Sequence, residues 1–116
     1  MFDIKIVKEP IQLSEVKKVA EEGFGDMVKA VVDVEREIMG LGPELHVDAE
    51  AMLIGEEGST REHTWGINIY PDKTGNEFIE FDSMVNIKPA FGNRTRDIGN
   101  PEIKEKIVKI VKKLVV

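Results

Sequence analysis

The sequence predicts an α+β fold, in which a mostly antiparallel sheet of four to five strands has two helices packed on one face. Apolar and polar residues alternate in several segments, which is the spacing of a half-buried strand. In two further segments, apolar residues recur every three to four positions, which is the spacing of an amphipathic helix. The strand-like segments are residues 2–8, 28–39, 45–54, 64–70 and 77–88. The predicted order of elements is therefore β-α-β-β-β-β-α.

Length and composition limit the class of protein. A chain of 116 residues builds one hydrophobic core, so we expect a single domain over residues 1–116. It has no cysteine, which excludes a disulfide scaffold, a thiol nucleophile and a sulfur-ligated zinc site. Its 22 acidic residues against 16 basic ones give a net charge of −6, so we expect no nucleic-acid partner. A single glutamine among many Lys, Glu, Ile and Val residues is typical of a heat-tolerant source.

The sequence indicates a cytoplasmic location. Residues 1–10 lack both the basic start and the apolar core of an export signal. No apolar run approaches the roughly 18 residues that a membrane-spanning helix needs. We therefore expect neither export nor a membrane partner.

The first strand and the first helix are bounded by residues with clear conformational preferences. Pro10 ends the strand predicted over residues 2–8, because proline cannot donate to a ladder. Ser14 is the predicted N-cap of the following helix, which ends at Gly23 and Gly25. The apolar stripe of this helix comprises Val16, Val19, Ala20 and Phe24.

Residues 28–39 fit both a helical and a strand spacing. The segment contains four valines, and β-branched side chains pack better on a pleated surface, so we predict a strand. A glycine-rich turn over residues 40–44 separates it from another alternating segment, residues 45–54. The two segments are interpreted as a hairpin, followed by a polar loop over residues 55–61.

The second half of the chain predicts two strands and a helix. The strand over residues 64–70 ends before Pro71, and residues 77–88 form a long strand with a bulge near Ser83 and Met84. Residues 89–99 are an irregular loop. Asn100 then caps the last helix, whose apolar stripe comprises Ile103, Ile107, Ile110, Val111, Leu114 and Val115.

Two helices cover only one face of such a sheet, so the other face meets water, a partner or a ligand. The period of two predicts which polar residues lie on that second face. They are Asp33, Glu35, Glu37, His46, Asp48, Glu50, Asn68, Tyr70, Glu80, Asp82 and Asn86. Seven of these residues are carboxylates, and like charges on one surface require a counter-charge. If residues 28–39 were helical, three of the seven would leave this face.

A divalent cation is one candidate counter-charge, because hard cations prefer carboxylate and amide oxygens. The candidate metal ligands are His46, Asp48, Glu50, Glu80 and Asp82. The alternative is that these residues form the solvated side of an antiparallel sheet.

The loop over residues 92–96 supplies a second candidate, since asparagine and arginine side chains suit a carboxylate or phosphate. The candidate ligand-binding residues are Asn68, Asn86, Asn93, Arg94 and Arg96. The alternative is that Arg94 and Arg96 pair internally with the acidic face. No serine-nucleophile motif and no phosphate-binding loop is present, and whether the protein is an enzyme stays open.

Five stretches of the sequence carry a resemblance to a known family. They are FGDMVKAVVDVER, ELHVDAEAML, WGINIYPDK, EFIEFDSMVNIKP and GNRTR. With them the chain resembles a family of small prokaryotic proteins of unknown function, over nearly its full length. The resemblance implies a stand-alone domain and supplies no catalytic residues.

Two hypotheses for the function follow. The first is that a small polar ligand or a divalent cation binds at the acidic sheet face next to the Asn-Arg loop. The second is a non-catalytic module that forms a homo-oligomer or binds another protein through a sheet face or an edge strand.

Overall fold

The computed structural model describes residues 2–116, which form five strands and three α-helices. The strands are β1 (Lys5–Val7), β2 (Val28–Asp33), β3 (Ile38–Leu41), β4 (Thr64–Ile69) and β5 (Ile79–Glu80). The helices are α1 (Leu13–Glu22), α2 (His46–Glu57) and α3 (Pro101–Leu114). None of these helices is long and apolar enough to span a membrane.

The strands form one open sheet in the order β1-β3-β2-β4-β5, and every neighbouring pair is antiparallel. The predicted α+β class with a mostly antiparallel sheet of four to five strands is therefore confirmed, and the sheet has five strands. In the middle of the sheet, β2 pairs with β4 over six residues, so that Val28 faces Ile69 and Asp33 faces Thr64.

Helices α1 and α3 pack on one face of the sheet, as predicted. Their buried residues, among them Val16 and Ile107, share a hydrophobic core with Val32 and Ile67 of the central strands. Asn100 caps α3 as expected, since its side chain accepts hydrogen bonds from the N–H groups of Glu102 and Ile103. In α1 the predicted cap is wrong: the helix starts at Leu13, with Gln12 at the N-cap position.

The strand predicted over residues 45–54 is wrong, because this segment forms helix α2 and covers the other face of the sheet. Ala49 and Leu53 pack there against Val31 and Ile38. The alternation that suggested a strand also places positions 49 and 53 on one helical face. The segment is rich in Ala, Glu, Met and Leu, which favour a helix. The order of elements is therefore β-α-β-β-α-β-β-α.

Two predicted strands are also divided or shortened. Residues 28–41 form the hairpin of β2 and β3, so the turn predicted over residues 40–44 is wrong for Gly40 and Leu41, which belong to β3. The turn of the hairpin is held by Asp33 Oδ1, which accepts the N–H groups of Glu35 and Arg36. Of residues 77–88 only Ile79–Glu80 is a strand, and Met84–Asn86 is a 3-10 turn. Side-chain hydrogen bonds to the backbone compete with the sheet ladder at both places.

Candidate functional site

A cleft of about 590 Å³ lies at the start of α2, and we call it the α2 cleft. Helix α2 begins at His46. The sheet residues that line the cleft, Lys29, Asn68 and Glu80, lie next to this start of the helix. The polar residues that line the cleft are Lys29, His46, Asn68, Glu80, Asp82, Ser83 and Arg96. The apolar residues that line it are Met27, Leu45, Val47, Met84 and Val85.

The floor of the cleft is a row of three side chains on neighbouring strands. Lys29 of β2 pairs in register with Asn68 of β4, which pairs with Glu80 of β5. Asn68 is buried, and its Nδ2 donates to Glu80 Oε1 at 2.8 Å and to the Asp82 carbonyl at 3.3 Å. Its Oδ1 is buried and has no well-aligned hydrogen-bond donor. The row thus places a cation, an amide and a carboxylate side by side.

Tyr70 borders this row and reinforces its acidic end. Its hydroxyl donates to Glu80 Oε1 at 3.2 Å. Burial and the neighbouring Glu80 carboxylate raise the pKa of Tyr70, so the phenol stays a hydrogen-bond donor well above neutral pH.

His46 forms the wall of the cleft at the first residue of α2. Its Nε2 lies 2.8 Å from the carbonyl oxygen of Ile67, and since a carbonyl only accepts, Nε2 carries the proton. Burial lowers the pKa of His46, and the Ile67 bond and the nearby Asn68 amide offset only part of this effect. The ring is therefore neutral near pH 7, with Nδ1 as an acceptor.

Asp82 and Arg96 form an ion pair at the edge of the cleft. Arg96 Nε donates to Asp82 Oδ1 at 2.6 Å, and this hydrogen bond raises the pKa of Arg96. The internal pairing considered for the two arginines is thus present for Arg96. Arg94 is exposed and lies outside the cleft.

Asp48 and Glu50 lie on α2, away from the carboxylates of the cleft. Asp48 is exposed in the first turn, where an acidic residue complements the helix dipole. Glu50 is buried, and one of its carboxylate oxygens accepts the Thr64 hydroxyl at 2.8 Å while the other lies 3.5 Å from Arg61. The expectation that Asp48 and Glu50 share a sheet face with Glu80 is wrong, because they project from a helix.

A buried lysine lies beside Glu50. Lys88 Nζ donates to the carbonyl oxygens of Arg61 and Thr64 and lies 4.3 Å from the ring centroid of Trp65. Burial lowers the pKa of Lys88 to about 8. This cluster holds the end of the sheet together and is closed to a ligand.

Asn86 and Asn93 are structural. Asn86 Oδ1 accepts the Gly66 N–H at 2.8 Å and its Nδ2 donates to the Gly66 carbonyl at 2.9 Å, which ties the segment to β4. Asn93 Nδ2 donates to the carbonyl groups of Asn86, Thr95 and Asp97. Both asparagines are buried, so they position the loop that carries Arg96 and do not line the cleft.

The five candidate metal ligands are not assembled into one centre. His46, Glu80 and Asp82 line the α2 cleft, whereas Asp48 and Glu50 do not. Within residues 2–116, no three His, Asp or Glu side chains lie together in an arrangement that could hold a metal ion.

The sequence prediction missed Lys29 and the apolar rim of the cleft. Lys29 stands four positions before Asp33 on β2, so the period of two that selected Asp33 also selects it. Leu45, Val47 and Met84 carry no such signal, because the first two were assigned to the core side of a strand.

The fold and the cleft define a small α+β domain with an open antiparallel sheet and one helix end over a polar cleft. The family described as Protein of unknown function (DUF5674) matches residues 5–114, and the chain belongs to this family. Comparison with the curated proteins and with the solved structures gives no match.

Proposed function

We propose that the protein binds a small polar ligand in the α2 cleft. The observation that carries the proposal is the convergence of polar side chains from four separate segments of the chain. They are His46 from α2, Asn68 from β4, Glu80 and Asp82 from β5 and the residues after it, and Arg96 from the loop before α3. A cleft of this size with a few convergent polar groups is typical of small-molecule sites.

Exposed apolar side chains at the mouth of the cleft support the binding of a ligand there. Leu45, Val47 and Met84 are 54%, 51% and 64% exposed at the mouth of the cleft. A ligand that covered them would remove apolar surface from water, at about 25 cal/mol for each Å². The polar floor would then fix the orientation of the ligand, and the rim would contribute affinity.

An organic ligand fits the cleft better than a divalent cation. Of the two carboxylates present, Asp82 already pairs with Arg96, which leaves Glu80 as the main anionic ligand. A hard divalent cation takes six or more oxygen ligands as a rule. A cation therefore stays among the probes of the experiment, while the proposal names a small polar molecule.

The test is a titration of ¹⁵N-labelled protein followed by amide chemical shifts. The probes are Mg²⁺, Ca²⁺, Zn²⁺, inorganic phosphate, glucose and glycyl-leucine. We expect at least one probe to shift the amides of Asn68, Glu80 and Asp82 in a saturable way. The double variant Glu80→Gln/Asp82→Asn should weaken that response about tenfold or more, because each lost charge-assisted bond contributes about 1.5–3 kcal/mol.

The matched control is the double variant Glu21→Gln/Glu56→Gln, which removes two exposed carboxylates from α1 and α2 outside the cleft. It should bind like the unaltered protein. The proposal fails if no probe shifts the cleft amides, or if both double variants lose the response to the same degree.

A second function is proposed from the outer side of α2, on which Val47 and Ile54 are 51% and 40% exposed. Helices pack on both sheet faces, and the edge strands β1 and β5 have only three and two residues. We therefore propose that the protein forms a homo-oligomer through α2 and not through the sheet.

The oligomer proposal is tested by light scattering after size-exclusion chromatography. A dimer that Ile54→Glu dissociates would support it, with Val116→Glu as a control at an exposed apolar residue of the C-terminus. A monomer at millimolar concentration contradicts it. The cytoplasmic location and the prokaryotic origin stay predictions.

A further inference from the structure

We infer that the ligand of the α2 cleft is a small zwitterion whose ammonium and carboxylate groups lie several ångströms apart, as in a dipeptide. The inference rests on the proposed function and names the chemical class of its ligand. It is carried by the row of Lys29, Asn68 and Glu80 across the floor of the cleft.

The spacing of the row suits a ligand with separated charges. Neighbouring strands lie about 4.8 Å apart, so the Cα atoms of Lys29 and Glu80 are about 10 Å apart. An extended dipeptide spans about 7 Å between its termini, and the two flexible side chains close the remaining distance. A single amino acid, whose two charges share one carbon atom, spans less of the row.

Lys29 forms the end of the row that would bind the carboxylate. Its ammonium group forms no ion pair with another residue in the described part of the chain. It lies 5.0 Å from the ring centroid of Phe24, which is outside the cleft lining, so a ligand carboxylate would draw the flexible Lys29 side chain into the cleft. Helix α2 begins at the same side of the cleft, with Leu45 at an N-cap position that has no side-chain hydrogen bond. The dipole of the helix therefore adds positive potential next to Lys29.

Glu80 forms the end that would bind the ammonium group. The hydrogen bonds from Asn68 and Tyr70 both go to its Oε1 atom, which leaves Oε2 open to a ligand. Asp82 adds a second negative charge on this side, although Arg96 balances it. The two ends of the cleft thus differ in the sign of their charge.

The middle of the row presents an acceptor. Asn68 is 6% exposed, its Nδ2 bonds Glu80 and Asp82, and its Oδ1 is buried near the His46 ring without a well-aligned donor. An unsatisfied buried acceptor is unfavourable, and a donor from the ligand would recover that loss if the Asn68 amide turned toward the cleft. In a dipeptide the peptide N–H lies between the two charged termini, so it is the group placed to supply that donor.

The experiment titrates ¹⁵N-labelled protein with glycyl-leucine and with two neutralised forms of it. N-acetyl-glycyl-leucine lacks the ammonium charge, and glycyl-leucinamide lacks the carboxylate. We expect glycyl-leucine to shift the amides of Lys29, Asn68 and Glu80, and each neutralised form to bind about tenfold more weakly or worse. L-Leucine, with its charges closer together, should also bind more weakly.

Charge-removing variants assign the two ends of the ligand. Lys29→Gln should weaken glycyl-leucine and leave glycyl-leucinamide unchanged, whereas Glu80→Gln should weaken glycyl-leucine and leave the acetylated form unchanged. Lys112→Gln, at an exposed lysine of α3, is the matched control and should bind like the unaltered protein. Melting temperatures of the variants verify that each is folded.

The outcomes separate this inference from the proposed function. If phosphate, glucose or a metal ion shifts the cleft amides and glycyl-leucine does not, the zwitterion is refuted while the cleft keeps a ligand. If the neutralised forms bind as tightly as glycyl-leucine, the charge row is refuted as well. If no probe shifts these amides, both the inference and the proposed function fail.

Discussion

Replacing Gly66 by alanine tests how the segment of Ser83 and Val85, which lines the α2 cleft, is held on the sheet. Gly66 lies in the middle of β4, where the segment that carries Ser83 and Val85 crosses it. A Cβ atom at this position would lie 2.5 Å from Ser83 Cβ and Oγ and 2.8 Å from Val85 Cγ2. Ser83 Cβ is bonded directly to the backbone and cannot rotate away, so the segment has to move away from β4.

The expected decrease in the free energy of unfolding has two causes, steric crowding and the loss of hydrogen bonds. Forcing an extra carbon into a packed site costs about 1–3 kcal/mol. Displacing the segment also breaks the two hydrogen bonds between Gly66 and Asn86, at about 1 kcal/mol each. The expected loss is about 3–5 kcal/mol in the free energy of unfolding. With about 2.1 cal/mol/K of unfolding entropy per residue over 116 residues, this lowers the melting temperature by about 12–20 °C.

The assay is thermal unfolding followed by circular dichroism, with Gly55→Ala as the matched control. Gly55 is exposed inside α2, and nothing lies within 4 Å of an added Cβ. Alanine there should raise stability by about 0.5–1 kcal/mol, because glycine is the poorer helix former. A Gly66→Ala protein that melts within about 3 °C of the unaltered protein would refute the close-packed wall.

Three further outcomes are expected. Asn93→Ala should lower the free energy of unfolding in urea by about 2–4 kcal/mol, since it removes one buried and three partly buried hydrogen bonds. Asn76→Ala in an exposed turn should change it by less than about 0.5 kcal/mol. The folded state binds the Lys88 proton more weakly than the unfolded state, because burial lowers the pKa of Lys88 to about 8. The free energy of unfolding should therefore increase by about 2 kcal/mol from pH 7 to pH 10, and Lys88→Met should abolish this increase. The lowered pKa of His46 predicts stability that is fully present above pH 6.5 and falls below it, and His46→Gln should flatten that slope in urea titrations at pH 5 to 7.

The elements that sequence alone predicted well are those in which several local signals agree. In α3 the cap at Asn100, the proline at the first position and the apolar stripe all indicate the same helix, and the structure has it over Pro101–Leu114. In α2 the signals conflict, because the alternation at positions 45–53 matches a strand while the residue types favour a helix. Packing decides, since the helix buries Ala49 and Leu53 against Val31 of the sheet.

The candidate site residues were selected from predicted strands, so the selection was wrong where the strand prediction was wrong. Asn68 lies on a correctly predicted strand and Glu80 on the short part of the last predicted strand that the structure retains, and both line the α2 cleft. Asp48 and Glu50 do not line it, because a helix turns successive residues by about 100° where a strand alternates them. The side chains of Asn86 and Asn93 form hydrogen bonds with backbone groups. This role depends on the geometry of the loops, which the spacing of residues in the sequence does not reveal.

The structure also resolves the electrostatic problem that the sequence posed. The carboxylates expected on one face are dispersed, and most have a partner within the chain: Asp33 accepts from Ser59, Glu37 pairs with Lys113, Glu50 pairs with Arg61, and Asp82 pairs with Arg96. A metal ion is therefore not needed to neutralise this face. Within residues 2–116, neither Lys29 nor Glu80 forms an ion pair, and these two opposite charges lie at the two ends of the row. Because the two ends of the cleft carry opposite signs, the ligand that neutralises both has to carry opposite signs as well, which is why the charge pattern favours a zwitterion over a simple ion.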